Sequence, residues 1–167
     1  GKSTLAKLIG GSHRPDAGEL LVDGEPVEFH APRDALAAGI ATIAQEIALV
    51  PARTVMENVL LGIQPGTVGV VRGRELRRRF DELNERTGFG LRGTALVRSL
   101  RTAEQQKVEI MRAIARDARL VLMDEPTAAL TRDESARLLE IVRTLAAGGT
   151  AVVLVSHYLE EVLSVAD

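Results

Sequence analysis

Apolar residues recur along this chain in two rhythms, and the changes of rhythm divide it into elements. In Ser3 to Ile9, Leu5, Leu8 and Ile9 fall on one helix face, which Gly10-Gly11 ends. The stretch GELLVDGEPVEF reads as two short strands around Asp23-Gly24, a hairpin turn pair. Pro32 to Ala38 predicts a short helix, with Pro at its start and Gly39 at its end. Ile40 to Ala44 is an apolar strand that ends on Gln45-Glu46. Thr54 and Glu57 form a capping box for a helix closed by Gly62. Residues 63–74, rich in Gly and Val, predict a loop, and Glu75 to Arg86 a basic helix with a solvated face.

The second half keeps a steadier beat. Thr102 to Arg116 predicts a long helix with a capping box at Thr102 and Gln105. Leu120 to Met123 is an apolar strand that runs into Asp124-Glu125-Pro126. Thr131 and Glu134 cap a helix that reaches Ala147, where Gly148-Gly149 breaks it. Thr150 to Val155 is a further apolar strand, ending at Ser156-His157, where a last helix begins. Alternating helices and fully apolar strands predict a parallel sheet covered on both faces. Residues 62–116 break the alternation and read as an inserted helical subdomain; 1–61 and 117–167 form the core around it.

Composition changes this picture little. The 167 residues suffice for one domain with a sizeable core. A net charge of −2 gives no electrostatic case for nucleic acid or an anionic membrane surface. The absence of cysteine excludes a disulfide framework and a cysteine-based zinc site. No apolar run approaches membrane-span length. A chain that opens with Gly1 inside an apparent motif reads as a fragment.

Candidate chemistry lies at the strand ends. In open parallel sheets ligands bind at the carboxyl ends of strands. Gln45, Asp124-Glu125 and His157 all stand there, and GKST at the chain start has the form of the end of a phosphate-binding loop. A Gly-Lys-Ser/Thr triplet alone arises by chance in roughly one chain in ten of this length. Four polar clusters converging on one sheet edge are a far rarer coincidence. The helix start offers N–H groups and a positive dipole end to phosphate. Lys2 offers a point charge and Ser3 a hydroxyl for Mg²⁺. Asp124 can hold that metal, Glu125 can polarise a water as general base, and His157 can reach a terminal phosphate. Tyr158, the only tyrosine, reads as a packing residue.

These motifs together resemble the nucleotide-binding domain of an ATP-binding cassette (ABC) transporter. GKSTL is similar to the end of the Walker A loop and IAQE to the Q-loop; SLRTAEQQKVEIMRAI resembles the signature segment, LVLMDEPTAAL Walker B with the D-loop, and VSH the switch histidine. PDAGELLVDGEPVEFHAPRDALAAGIATIAQE and DEPTAALT are similar to the monosaccharide-importer branch, and to the first of its two tandem cassettes. The resemblance implies a P-loop NTPase (RecA-like) α/β fold: a parallel sheet core, an antiparallel β element and an inserted helical subdomain. It implies ATP and Mg²⁺, with Gly1, Lys2, Ser3, Thr4 and Gln45 on the nucleotide and Ser3, Gln45 and Asp124 on the metal. Glu125 and His157 become catalytic, and Leu100, Arg101, Thr102, Ala103, Glu104 and Gln105 close over ATP held by a second cassette. Implied partners are that cassette, membrane permease subunits and, indirectly, a periplasmic sugar-binding protein, with no nucleic acid. The implied location is peripheral, on the cytoplasmic face of the plasma membrane.

One departure stands out. The signature is ordinarily Leu-Ser-x-Gly-Gln, and here Arg101 takes the serine position. Ala44 precedes Gln45, where the branch commonly has His. The first strand, the first half of the phosphate loop and the adenine-stacking aromatic would lie before Gly1, so the chain by itself is expected to bind ATP poorly. Two other readings are a soluble ABC ATPase without membrane partners and a non-hydrolysing regulatory cassette.

Overall fold

The computed structural model of the chain describes residues 1–43, 48–64, 66–67 and 70–166. Its centre is a parallel sheet in the order β3–β6–β7, with β3 at Ile40–Ile43, β6 at Leu120–Asp124 and β7 at Ala151–Val155. Ile40 stands opposite Leu120, which stands opposite Ala151, so the three strands start level and end on one edge. β6 is central and its Val121, Leu122 and Met123 are buried. β7 is on the outside, and Val153 is 36% exposed, so the expected burial of every strand on both faces fails there. β3 is also an outer strand, but α2 (Pro32–Ala37) and α5 (Thr102–Ile114) cover it and Ile40, Ala41 and Ile43 are buried, whereas β7 packs against α6 (Arg132–Ala147).

Helices flank this sheet. α1 (Lys2–Ile9) lies beside β6, and α5 (Thr102–Ile114) beside β3. At the end of α1, a Cβ on Gly10 would stand 2.8 Å from Thr42 Oγ1, so only glycine lets the helix come this close to β3. α6 (Arg132–Ala147) starts at Thr131, whose hydroxyl accepts from the Glu134 amide while the Glu134 carboxylate accepts from the Thr131 amide. Its Leu138 and Val142 fill the interior with Val108, Ile110 and Met111 of α5. α7 (Leu159–Val165) packs on α6.

The antiparallel element is the hairpin of β1 (Leu20–Val22) and β2 (Glu25–Val27), with Val22 opposite Glu25. Asp23 and Gly24 have φ of 55° and 84°, the two positive angles a tight I′ turn needs. Val22, Val27 and Leu20 cover a small second core of Phe29, Ala35 of α2 (Pro32–Ala37) and Ile40.

Residues 48–116 are mostly helical. α3 (Val55–Val59) begins at the expected Thr54–Glu57 capping box. The stretch expected as a loop over 63–74 instead contains a short antiparallel pair, β4 (Gly66–Thr67) with β5 (Val70–Val71), and the start of α4 (Gly73–Thr87). Val and Thr favour the extended backbone that the glycine content obscured. α5 starts at Thr102 as expected, but its cap is one residue earlier than the Thr102–Gln105 box. Arg101 is its N-cap, and the Arg101 amide donates to Glu104 Oε2 at 3.0 Å. Gln105 turns instead to the Leu100 carbonyl, to which its Nε2 donates at 3.1 Å. Tyr158 does not pack; it is 61% exposed.

One ion pair stitches α5 to α6. Lys107 Nζ lies 2.7 Å from Glu134 Oε1 and 5.8 Å from the centre of the Phe89 ring. The Lys107 contact, with the Thr131 amide, holds the Glu134 carboxyl down to about 2 from its usual 4.5. A depressed acid stabilises the fold above its unfolded value and loses that contribution as pH falls through its folded one. Lys107→Met is therefore expected to lower the urea midpoint at pH 7, with the gap to wild type closing as pH falls from 4.5 towards about 2. A gap that stays constant over that window would contradict the assignment.

Candidate functional site

At the carboxyl edge of the sheet the chain places two side chains in direct contact. Glu125 follows β6 and His157 follows β7, and Glu125 Oε1 lies 2.6 Å from His157 Nε2. The Glu125 side chain is 21% exposed and the His157 side chain 68%, so the pair opens to solvent from a partly enclosed base. Glu125 has φ of 52°, a left-handed backbone that costs a non-glycine residue about 1–3 kcal/mol. Two hydrogen bonds hold it there: its amide donates to the Val155 carbonyl at 2.8 Å, and its carbonyl accepts from the Ala128 amide at 3.2 Å. The strained backbone aims the carboxylate across to the neighbouring strand.

Behind this pair is a cluster that the sequence reading missed. Glu161 Oε2 in α7 accepts from Thr127 Oγ1 at 2.9 Å and from Ser156 Oγ at 2.6 Å. The Ser156 hydroxyl accepts in turn from the Tyr158 amide at 3.0 Å. Thr127 comes two residues after Glu125, and Ser156 one before His157, so a single carboxylate ties both loops together. No local pattern announces this, because Glu161 and Thr127 are 34 positions apart.

Asp124 ends β6 and is 8% exposed. Its carboxylate supplies hard oxygens of the kind a small divalent cation takes. Among the described residues no group of three or more histidines and acids gathers into a metal cage. Mg²⁺ needs no such cage, since it binds through one or two carboxylates together with substrate phosphates and water. The Asp124 carboxylate and the Ser3 hydroxyl are both oxygens of the type that ion takes.

Gly1, Lys2, Ser3 and Thr4 are all exposed, and Gly1 is the N-cap of α1. No side chain caps this end and no acid stands in its first turn. Among the described residues no side chain satisfies its first N–H groups, which are the kind of donors that bind an anion and stand beside Lys2. Among the described residues no hydrogen bond or ion pair joins Lys2, Ser3 or Thr4 to Asp124, Glu125 or His157. Gln45 lies outside the described residues. The signature segment stands apart: Leu100 packs partly into the core, Arg101 and Thr102 are exposed at the start of α5, and Ala103, Glu104 and Gln105 are half-buried. Among the described residues it makes no polar contact with the Glu125–His157 pair.

A parallel α/β sheet with acids at its central strand tip and a lysine at a helix start is the architecture of the P-loop NTPase class. Residues 1–128 match the family described as ABC transporter, and the chain belongs to it. It is 45% identical over its whole length to the ribose import ATP-binding protein RbsA 1 of Streptomyces avermitilis, covering 32% of that protein. It is 42% identical to the arabinose import ATP-binding protein AraG of Paraburkholderia xenovorans, again covering 32% of it. The chain thus spans about a third of the length of these curated relatives. Among solved structures it is similar to the ATP-binding cassette MJ0796, in a dimeric post-hydrolysis state bound to ADP and Pi, with 26% identity and a TM-score of 0.83 over 96% of this chain and 72% of that one.

Proposed function

We propose that the protein containing this chain is a Mg²⁺-dependent ATPase that powers import of a sugar through an ABC transporter. The observation that carries the reading is the Glu125–His157 contact at the strand tips, next to Asp124 at the end of β6. The named sugar importers to which the chain is similar support the substrate class. In this reading the α1 start and Lys2 bind the phosphates, Ser3 and Asp124 hold Mg²⁺, and Gln45 senses it. Mg²⁺ would offset the charge that develops on the phosphate oxygens. Glu125 orients and deprotonates the attacking water, and His157, in contact with Glu125, keeps that carboxylate in place and meets the terminal phosphate.

Residues 62–116 would form a helical subdomain inserted into a core of 1–61 and 117–167. Its signature segment, Leu100 to Gln105, would serve the ATP of a second cassette, in keeping with its separation from the pair here. The cassette would sit on the cytoplasmic face of the plasma membrane, bound to permease subunits that a periplasmic sugar-binding protein supplies. No helix among the described residues is long and apolar enough to cross a membrane.

Arg101 is the feature most at odds with efficient hydrolysis. Its amide is satisfied by Glu104, while among the described residues no carboxylate pairs with its guanidinium. The side chain stands free to meet the partner's phosphate with more bulk than a serine hydroxyl. Arg101→Ser in the assembled transporter is expected to change the ATPase rate by about tenfold, the effect of about 1.4 kcal/mol at the transition state. An unchanged rate would sink the proposed role.

A further inference from the structure

The largest buried charge that the proposed chemistry leaves unused is Glu109, in the middle of α5. It is 4% exposed and belongs to a closed ring of three hydrogen bonds. The Ala48 amide donates to Glu109 Oε1 at 3.0 Å, Arg112 Nη2 donates to Glu109 Oε2 at 2.8 Å, and Arg112 Nη1 donates to the Ala48 carbonyl at 2.8 Å. Both polar groups of one peptide residue are thus held by two side chains from one helix turn. Burial alone raises the Glu109 acid, and Arg112 opposes that effect. A buried carboxylate is tolerated only where such partners satisfy it.

The place of the ring gives it meaning. Ala48 is the first described residue after 44–47, the segment that carries Gln45. α5 begins at the signature segment. Further bonds continue the attachment. Asn58, fully buried, accepts from the Val50 amide at 2.8 Å and donates to the Val50 carbonyl at 3.1 Å. The Arg98 amide donates to the Pro51 carbonyl and the Val97 amide to the Arg53 carbonyl, both at 3.1 Å. The Val55 amide donates to the Ala95 carbonyl at 2.9 Å. Residues 48–58 are thereby fastened to 95–98, which lead into Leu100 and Arg101, and to the body of α5.

We infer that Glu109 and Arg112 are positioning residues that clasp the chain at Ala48, three positions after Gln45, to the signature helix, so that Ala48 and α5 keep a fixed relation during hydrolysis. The inference rests on the proposed roles of Gln45 and the signature. Neither residue touches nucleotide in this account. Loss of the clasp therefore slows hydrolysis, both where Gln45 serves this cassette's ATP and where the signature serves the partner's, and leaves phosphate binding at the α1 start intact. A misplacement of about 1 Å can cost about 100-fold in rate.

The test uses the whole protein assembled with its membrane subunits. Glu109→Met combined with Arg112→Met removes the ring while keeping side-chain volume, which spares the fold the cost of one unpaired buried charge. The expected result is a kcat lowered about 10- to 100-fold, with KM for ATP within about twofold of wild type. Amide exchange at Ala48 to Val50 should become faster, and Arg112→Lys, which retains a cation beside Glu109, should give an intermediate kcat. A double variant with wild-type kcat overturns the inference. So does unchanged amide exchange at Ala48, or a rise in KM that parallels a fall in melting temperature. If the wild-type protein itself hydrolyses no ATP, the functional reading fails first, and the exchange measurement still reports whether the clasp exists.

Discussion

Glu125→Gln in the whole protein is expected to lower the ATPase kcat by about 10²- to 10⁴-fold, the range for loss of a positioned general base. ATP affinity should remain near that of wild type. Gln keeps the size and one acceptor oxygen of the side chain, so the left-handed backbone at Glu125, fixed by Val155 and Ala128, should hold. What it loses is the carboxylate that can take a proton from water. It also loses the charge that faces His157 Nε2 across 2.6 Å. Single-turnover phosphate release, measured beside equilibrium ATP binding, separates the two effects. A variant that binds ATP and hydrolyses it at the wild-type rate would remove Glu125 from the chemistry. A variant that fails to bind would show that its role is structural.

Phe80→Ala is expected to cost about 3–5 kcal/mol, read as a lowered urea midpoint with an unchanged slope. Phe80, in α4, is 2% exposed and joins Leu76, Phe89 and Leu91 in the main core. Its ring lies directly against Gly93: a Cβ built there would stand 2.7 Å from Phe80 Cε1. Glycine at that position lets the chain press onto the ring, so little side-chain volume is nearby to collapse into the hole. The cost is a large part of the roughly 5–15 kcal/mol that holds a domain folded. A change under about 1 kcal/mol would mean that α4 contributes little to the cooperative core.

Much of the fold was legible because its signals are local. Asp23-Gly24 announces a turn that only left-handed residues can make, and both angles are positive in the structure. Thr54 with Glu57 and Thr131 with Glu134 reach across one helical turn, and both boxes form. At the start of α5 the same logic failed by one residue. Thr102 is the better cap by chemistry, yet the Glu104 carboxylate captured the Arg101 amide and set the cap there, with Thr102 as the first helical residue. The β4–β5 pair was hidden by its glycines.

The candidate site was legible as strand ends, and the contact within it was not. Apolar runs followed by Asp124-Glu125 and by Ser156-His157 mark where strands stop. Parallel register then brings Glu125 beside His157. Glu161 and Glu109 escaped notice because they read as ordinary charged positions on amphipathic helices. Their partners, Thr127 and Ala48, lie 34 and 61 positions away and are chosen by tertiary packing. Long-range satisfaction of a buried polar group is set by the fold and leaves no spacing in the sequence.

The most direct test of the central claim is phosphate release from ATP by the whole protein, purified with its membrane subunits, with and without Mg²⁺. The account predicts release that requires Mg²⁺ and is lost in Lys2→Ala, whose ammonium stands at the open start of α1. Release that persists without Mg²⁺ or survives Lys2→Ala unchanged, or no release at all from the wild type, would contradict it.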